Sequence, residues 1–360
     1  MKRSSLLSIS LRKHWMLSFL PAALALSAAR LEAQSAYVTN SGSHNVSVID
    51  TATDTVVATI PVGINPGRPA AAADGARIYV PNAGSDSVSV LRTDTHSLLA
   101  TIAVGDGPAV AAVAPNGARV YVGGANGLVS VIDTSLGSLV ATVAAGAPAA
   151  GSINGIAVSP NGARAYVLWG ELVVIDTATL TIVDSVYAGN SVTGLALSPD
   201  GARIYVPTAF GYGDFNFYGS VTVLDASSLT ATNVIGTWSL PTSIAVSPDG
   251  TRAHVSTPST FVDTGYGAGY LPSPWVARLD LSANTLISGA NAGASAAGLA
   301  ITPDGTRAYV AVPSQNRVAV VESSTNVVLR TVNVGTSPVG VVFVPGSNLQ
   351  SAPTRGLRRR

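Results

Sequence analysis

Two segments concentrate the side chains that could engage a ligand: residues 208–219 (TAFGYGDFNFYG) and 257–275 (TPSTFVDTGYGAGYLPSPW). The first holds Phe210, Tyr212, Phe215, Phe217 and Tyr218, the second Phe261, Tyr266, Tyr270 and Trp275, nine of the chain's 21 aromatic residues. Each adds one carboxylate, Asp214 or Asp263, and glycines at which a loop can turn. Rigid aromatic area beside a carboxylate suits contact with a sugar, a peptide or a protein surface. Rings that merely pack on one another are the competing reading.

Bond-making chemistry has fewer candidates. The four histidines, His14, His44, His96 and His254, are too far apart to have metal-ligand spacing, no HExxH string occurs, and no metal or cofactor is expected. The chain has no cysteine, which removes thiolate metal sites, haem attachment and disulfides, and no lysine after Lys13, which removes Schiff-base chemistry and Ser-Lys pairs from the rest. No GxSxG elbow opens a helix. Asp50, Asp133, Asp176, Asp225 and Asp280 recur too regularly to form a paired-carboxylate site; each is expected to cap the turn that follows it. No catalytic residue is assigned.

The elements that must position the two segments come from a phrase first met at residues 36–63, AYVTNSGSHNVSVIDTATDTVVATIPVG. Three runs in it, Tyr37-Val38-Thr39, Val46-Ser47-Val48-Ile49 and residues 56–60, are rich in β-branched residues with apolar alternation, the pattern of half-buried strands. Asn, Asp, Ser, Thr and Gly separate them, as tight turns require. The phrase ends on Gly63, Gly105, Gly146, Gly189, Gly293 and Gly335, with Leu240 where one more is due. A period near 40 residues built of four strands, seven times over, predicts a propeller. Later units add an innermost strand and an Asn-Gly or Asp-Gly hairpin, followed two residues on by an arginine such as Arg77, Arg119, Arg203 or Arg307. These arginines are expected to cover strand edges and pair locally.

With its SPDG-x-R-x-Y-V strings and the YVTN string of residues 37–40, the chain resembles the YVTN-type β-propeller repeat proteins, which are exported and surface-layer proteins. The resemblance runs from about residue 36 to 344 and implies a seven-bladed propeller. Departures from it are residues 69–73, where the second unit's innermost strand reads PAAAA and a looser blade is expected; Leu91-Arg92-Thr93 in place of Ile-Asp-Thr; His254 in place of tyrosine; and Glu322 in place of aspartate. Lactonases and dehydrogenase subunits among similar propellers make a hydrolase or oxidoreductase-associated role the alternative to binding, and single-stranded nucleic-acid binding, reported for some relatives, a further one.

The ends are different in kind. Basic residues, an apolar run from Trp15 to Leu26 and small residues after it form a secretory signal pattern over 1–33, with cleavage expected after Ala29 or Ala33. The apolar run is about half of the roughly 20 residues a membrane span needs, so no transmembrane segment is expected in the mature chain. Removing 1–33 leaves 15 basic against 18 acidic side chains, four of the arginines in the tail at 346–360, which reads as a solvated end. An acidic body argues against nucleic acid. The expectation is therefore an all-β protein over 36–345: a seven-bladed β-propeller of four-stranded antiparallel blades, closed by pairing of the C-terminal strand with the N-terminal strands. It is expected to be monomeric, to be exported to the periplasm, cell surface or medium, and to bind a glycan, peptide or envelope protein. Loops joining second and third strands share a face with the blade-to-blade connections. The two aromatic segments therefore stand side by side there, with Trp169 and Glu171 of the preceding blade.

Overall fold

β-branched alternation and Asx-containing turns produce the same four-strand unit seven times. In the computed structural model, which describes residues 34–146, 151–189, 191–212, 216–237, 240–257, 276–293 and 295–344, seven four-stranded antiparallel sheets form the ring. Blades two to seven run over 70–103, 110–144, 155–187, 196–237, 243–290 and 299–333, each from an innermost strand outward. Blade one is assembled from both ends of the chain: Pro338–Val344 lies innermost, followed by Ser35–Asn40, Asn45–Asp50 and Thr55–Pro61. Its joining register pairs Ala36 with Phe343 and Val38 with Val341, with a bulge between Thr39 and Asn40. The segments at 1–33 and 346–360, where a signal peptide and a tail are expected, lie outside the described residues. No helix among the described residues is long and apolar enough to cross a membrane.

The core is divided among the seams. Seven apolar clusters each draw on two neighbouring blades, such as Tyr37, Val46 and Val48 of blade one with Ile78, Val80 and Leu91 of blade two. In every blade but the sixth the second strand gives a tyrosine to a seam; Tyr37, Tyr79, Tyr121, Tyr205 and Tyr309 are all fully buried. Outer strands leave Val57, Leu99 and Val183 exposed, because nothing packs outside them. Burial of a large apolar side chain stabilises by about 1.5–3 kcal/mol, so stability resides between blades more than within them.

Seven hydrogen bonds repeat this seam logic in polar form. In every blade the carbonyl just after the third strand accepts a donor from the preceding blade. Arg77 reaches Thr134, Arg119 reaches Thr177, Arg203 reaches Leu281 and Arg307 reaches Thr51. Tyr37 reaches Thr93, Tyr166 reaches Ala226, and Arg278 reaches Ser323. The expectation of local pairing for these arginines is thereby corrected: the guanidinium is long enough to cross the seam, and the next blade's carbonyl is the unsatisfied acceptor in range.

Blade six achieves its bond by a paired exchange. Across its second and third strands His254 faces Arg278, where other blades place tyrosine opposite valine, as with Tyr166 and Val174. His254 has no hydroxyl to give, as Tyr37 and Tyr166 do in blades one and four, and Arg278 supplies the donor. His254 is fully buried, neither ring nitrogen has a hydrogen-bond partner, and its pKa is pushed down to about 4 by burial first and by the Arg278 and Arg252 charges next. An unfolded chain takes up this proton below about pH 6.5, while the folded imidazole stays neutral to about 4. Stability therefore falls as pH drops through that window and levels off below it, by roughly 3 kcal/mol in all. Thermal melts of wild type between pH 7 and 4 are expected to show this slope, and His254→Phe to remove most of it. Equal slopes in the two proteins would refute the assignment. The carboxylates act lower, since hydrogen bonds hold groups such as Asp225 down at about 2.

Candidate contact face and channel mouth

Turn chemistry separates the two faces of the ring. On one lie the Asx-Gly hairpins and the turns after the third strands, where the aspartates act as the expected caps. Asp50 accepts from the Ala52 and Thr53 amides, and Asp133, Asp176, Asp225 and Asp280 repeat the geometry at 2.9–3.0 Å. Glu322, one methylene longer, is bonded instead by the Thr325 hydroxyl. His96 also serves a seam, its Nδ1 2.8 Å from the Tyr37 hydroxyl.

The other face carries the blade-to-blade connections and the turns between second and third strands. His44 sits there and accepts the Asn65 amide at its Nδ1. Blade five departs from the repeat on this face: its second and third strands, Arg203–Tyr212 and Asn216–Asp225, each run ten residues, against five or six elsewhere. The ladder pairs Phe210 with Tyr218 and continues to Tyr212 with Asn216. The insertion at 208–219 is thus a strand extension rather than a swollen loop, because aromatic and β-branched residues sustain pairing on both arms. Phe210, Tyr212, Phe217 and Tyr218 lie on this hairpin. Asp214, Phe215, Phe261, Asp263, Tyr266, Tyr270 and Trp275 lie outside the described residues.

Trp169 and Glu171 are in the neighbouring blade four, as expected. Trp169 packs on the apolar seam between blades three and four and donates its indole N–H to the Ala145 carbonyl at 3.1 Å, so much of it serves the seam. Glu171 is half-buried and pairs in register with Tyr187, which is 65% exposed. Tyr187 escapes sequence reasoning because it occupies an ordinary outer-strand position.

The channel holds a residue that the repeat pattern does not announce. Five residues before the proline that follows each innermost segment stand Val110, Gly155, Gly194, Ser243, Gly298 and Gly340, and in blade two, where Ala73 takes the proline's place, Arg68. Arg68 forms a parallel bridge with Val110 and sends its guanidinium across the ring. Nη1 donates to the carbonyls of Asn154 at 3.0 Å and Thr193 at 2.9 Å, in blades four and five, and Nη2 to that of Thr242 at 2.9 Å, in blade six. A Cβ on Gly194 would stand 3.3 Å from Nη1, so the small residues opposite make room for the crossing. Burial lowers the pKa of Arg68, which nevertheless stays charged at any physiological pH. Blade two's innermost strand has only two residues, Ala70–Ala71, but blade five's, Ala196–Leu197, is as short, so strand length does not set blade two apart as the looser blade, and Arg68 ties it to three others.

A cavity of about 290 Å³ opens beside Arg68, lined also by Ser41, Asn65, Ala109, Ile153 and Asn154. Among the described residues no group of three or more His, Asp or Glu could hold a metal ion.

No known family model and no curated protein matches the sequence. Solved structures do. The chain is similar to Kuenenia stuttgartiensis hydrazine synthase at 21% identity and TM-score 0.67, over 79% of this chain and 91% of that one. It is similar to a functionally unknown protein from Desulfotomaculum acetoxidans at 17% identity and TM-score 0.70, over 86% and 98%. A third likeness is to dihydro-heme d1 dehydrogenase NirN, at 16% identity and TM-score 0.60, over 92% and 79%. At these identities the likeness establishes the seven-bladed fold alone.

Proposed function

We propose that the protein is an exported propeller of the YVTN type that acts as a binding or scaffold module, its contact face being the one that carries the channel mouth and the extended blade-five hairpin. The observation that carries this reading is the ladder running on to Tyr212 and Asn216. A hairpin that outgrows its blade is not needed to close the ring, and it projects an aromatic-rich sequence from a rigid base, which is how contact surfaces are preorganised. A glycan, a peptide or an envelope protein is the partner class that such area fits. The signal pattern at 1–33 supports export.

Probing glycan and peptide arrays with wild type and with a variant shortened at 208–219 and 257–275 tests the reading. Wild type is expected to retain a small set of ligands that the shortened protein loses by tenfold or more. Identical profiles from two folded proteins would remove the hairpin face from consideration.

A further inference from the structure

We propose that the channel mouth is an anion site, in which Arg68 receives the carboxylate or phosphate group of a small ligand. This goes beyond the hairpin reading and does not depend on it. Three N–H groups of Arg68 meet backbone carbonyls, and no carboxylate among the described residues lies within ion-pair distance. Carbonyl dipoles satisfy the geometry of a guanidinium but leave its full charge unneutralised, and Arg68, half-buried beside the cavity, is left without a counter-charge. Of the five N–H groups an arginine carries, the one on Nε and a second on Nη2 have no acceptor among the described residues. Two such donors are what a carboxylate or phosphate takes from an arginine.

The surroundings favour the same occupant. The polar residues of the cavity wall besides Arg68 are Ser41, Asn65 and Asn154, of which the Ser41 hydroxyl already donates to the Ser337 carbonyl and the Asn154 amide to that of Val192, so Arg68 carries the attraction for an anion. Among the described residues the wall includes no acidic side chain. This contrasts with a body whose acidic residues outnumber its basic ones. At about 290 Å³ the space lies at the small end of ligand pockets, which selects a small organic acid or a phosphate over a polymer. The arginine is also held in place before any ligand arrives. Pro69 follows it, the Ala109 carbonyl accepts its amide at 2.8 Å, and the Ala111 amide donates to its carbonyl at 3.2 Å.

Calorimetric titration of the full chain with citrate and with inorganic phosphate, at constant ionic strength, tests the proposal. Wild type is expected to bind at least one of them saturably; citrate alone would point to a carboxylate ligand, phosphate alone to a phosphorylated one. Arg68→Gln should weaken that binding at least tenfold. Ala109→Leu, which narrows the mouth and leaves the cross-channel bonds in place, should do the same without lowering the melting temperature. Should Arg68→Gln fail to fold, the Ala109→Leu result decides. Absence of saturable binding by wild type, or unchanged affinity in a folded Arg68→Gln or in Ala109→Leu, would leave Arg68 as a strut and overturn the site. The hairpin-shortened variant should bind the anion as wild type does, so a failed array result and a failed titration have separate meanings.

Discussion

A chain ending at Gly335 is expected to show no cooperative thermal transition above 37 °C, and to bind dyes that report exposed apolar surface. The missing segment, Pro338–Val344, is the innermost strand of blade one and buries Val341, Phe343 and Val344. Phe343 meets the Tyr309 ring edge-on at a centroid distance of 5.1 Å, and the Val339 carbonyl accepts the Gly298 amide of blade seven. Three buried side chains at about 1.5–3 kcal/mol each, with ladder bonds at about 1 kcal/mol each, amount to roughly 10 kcal/mol. That equals the whole stability of a typical domain. One strand edge is opened as well, that of Ser35–Asn40, so self-association should follow. Circular dichroism melts and sedimentation velocity check both effects. Phe343→Ala is the graded version, with an expected cost of about 3–5 kcal/mol. A truncated chain that melts like wild type would show that the ring does not need its closure.

The same seam predicts a second large effect. Asp54 is turned into the joint between blades seven and one, its side chain only 4% exposed, and accepts the Tyr309 hydroxyl. Arg330 Nε stands 3.2 Å and Arg307 Nη1 3.4 Å from the same carboxylate. Burial first and Asp54 second push the Tyr309 pKa up, which keeps the hydroxyl a donor. Asp54→Asn preserves the left-handed backbone of this residue, φ 52°, which asparagine tolerates. It removes the charge that three donors share. A loss of about 2–3 kcal/mol is expected, since hydrogen bonds to charged groups carry about that much, read as a denaturant midpoint shift at constant slope. Asp50→Asn, at an exposed turn cap a few residues away, should cost under about 1 kcal/mol. Equal losses at the two positions would mean that the buried network adds nothing to the seam. A double-mutant cycle with Tyr309→Phe apportions the hydroxyl's share.

Much of this architecture can be read from residues 36–63 and their copies. Alternation of β-branched residues with turn residues specifies four strands per unit, seven units follow from the glycine spacing, and the lone strand after Gly335 has nowhere to pair but with the chain's first strand. The aspartate caps were legible for the same reason: an acceptor and its amides lie within three residues of each other. Side chains that act at a distance are less legible. The arginines after the hairpins looked local because their neighbours in sequence are turn residues, whereas their acceptors lie one blade on. The insertion at 208–219 looked like a loop because glycines interrupt it, and the ladder shows that its arms pair.

His254 and Arg278 show where the boundary runs. Each is visible as a departure from its own repeat, but their exchange of roles emerges only when the second and third strands of blade six are set in register. Arg68 is the extreme case. Its acceptors lie 86, 125 and 174 residues away, so no periodicity or turn rule connects them, and the PAAAA run beside it drew attention to weak packing instead. The sequence by itself determined the strands, the blade count and the closing pair, because those depend on contacts between near neighbours or between identical units. Only the tertiary ring decided what reaches across a seam or the channel, because bending seven blades into a circle brings distant carbonyls around one cation and leaves a cavity beside it.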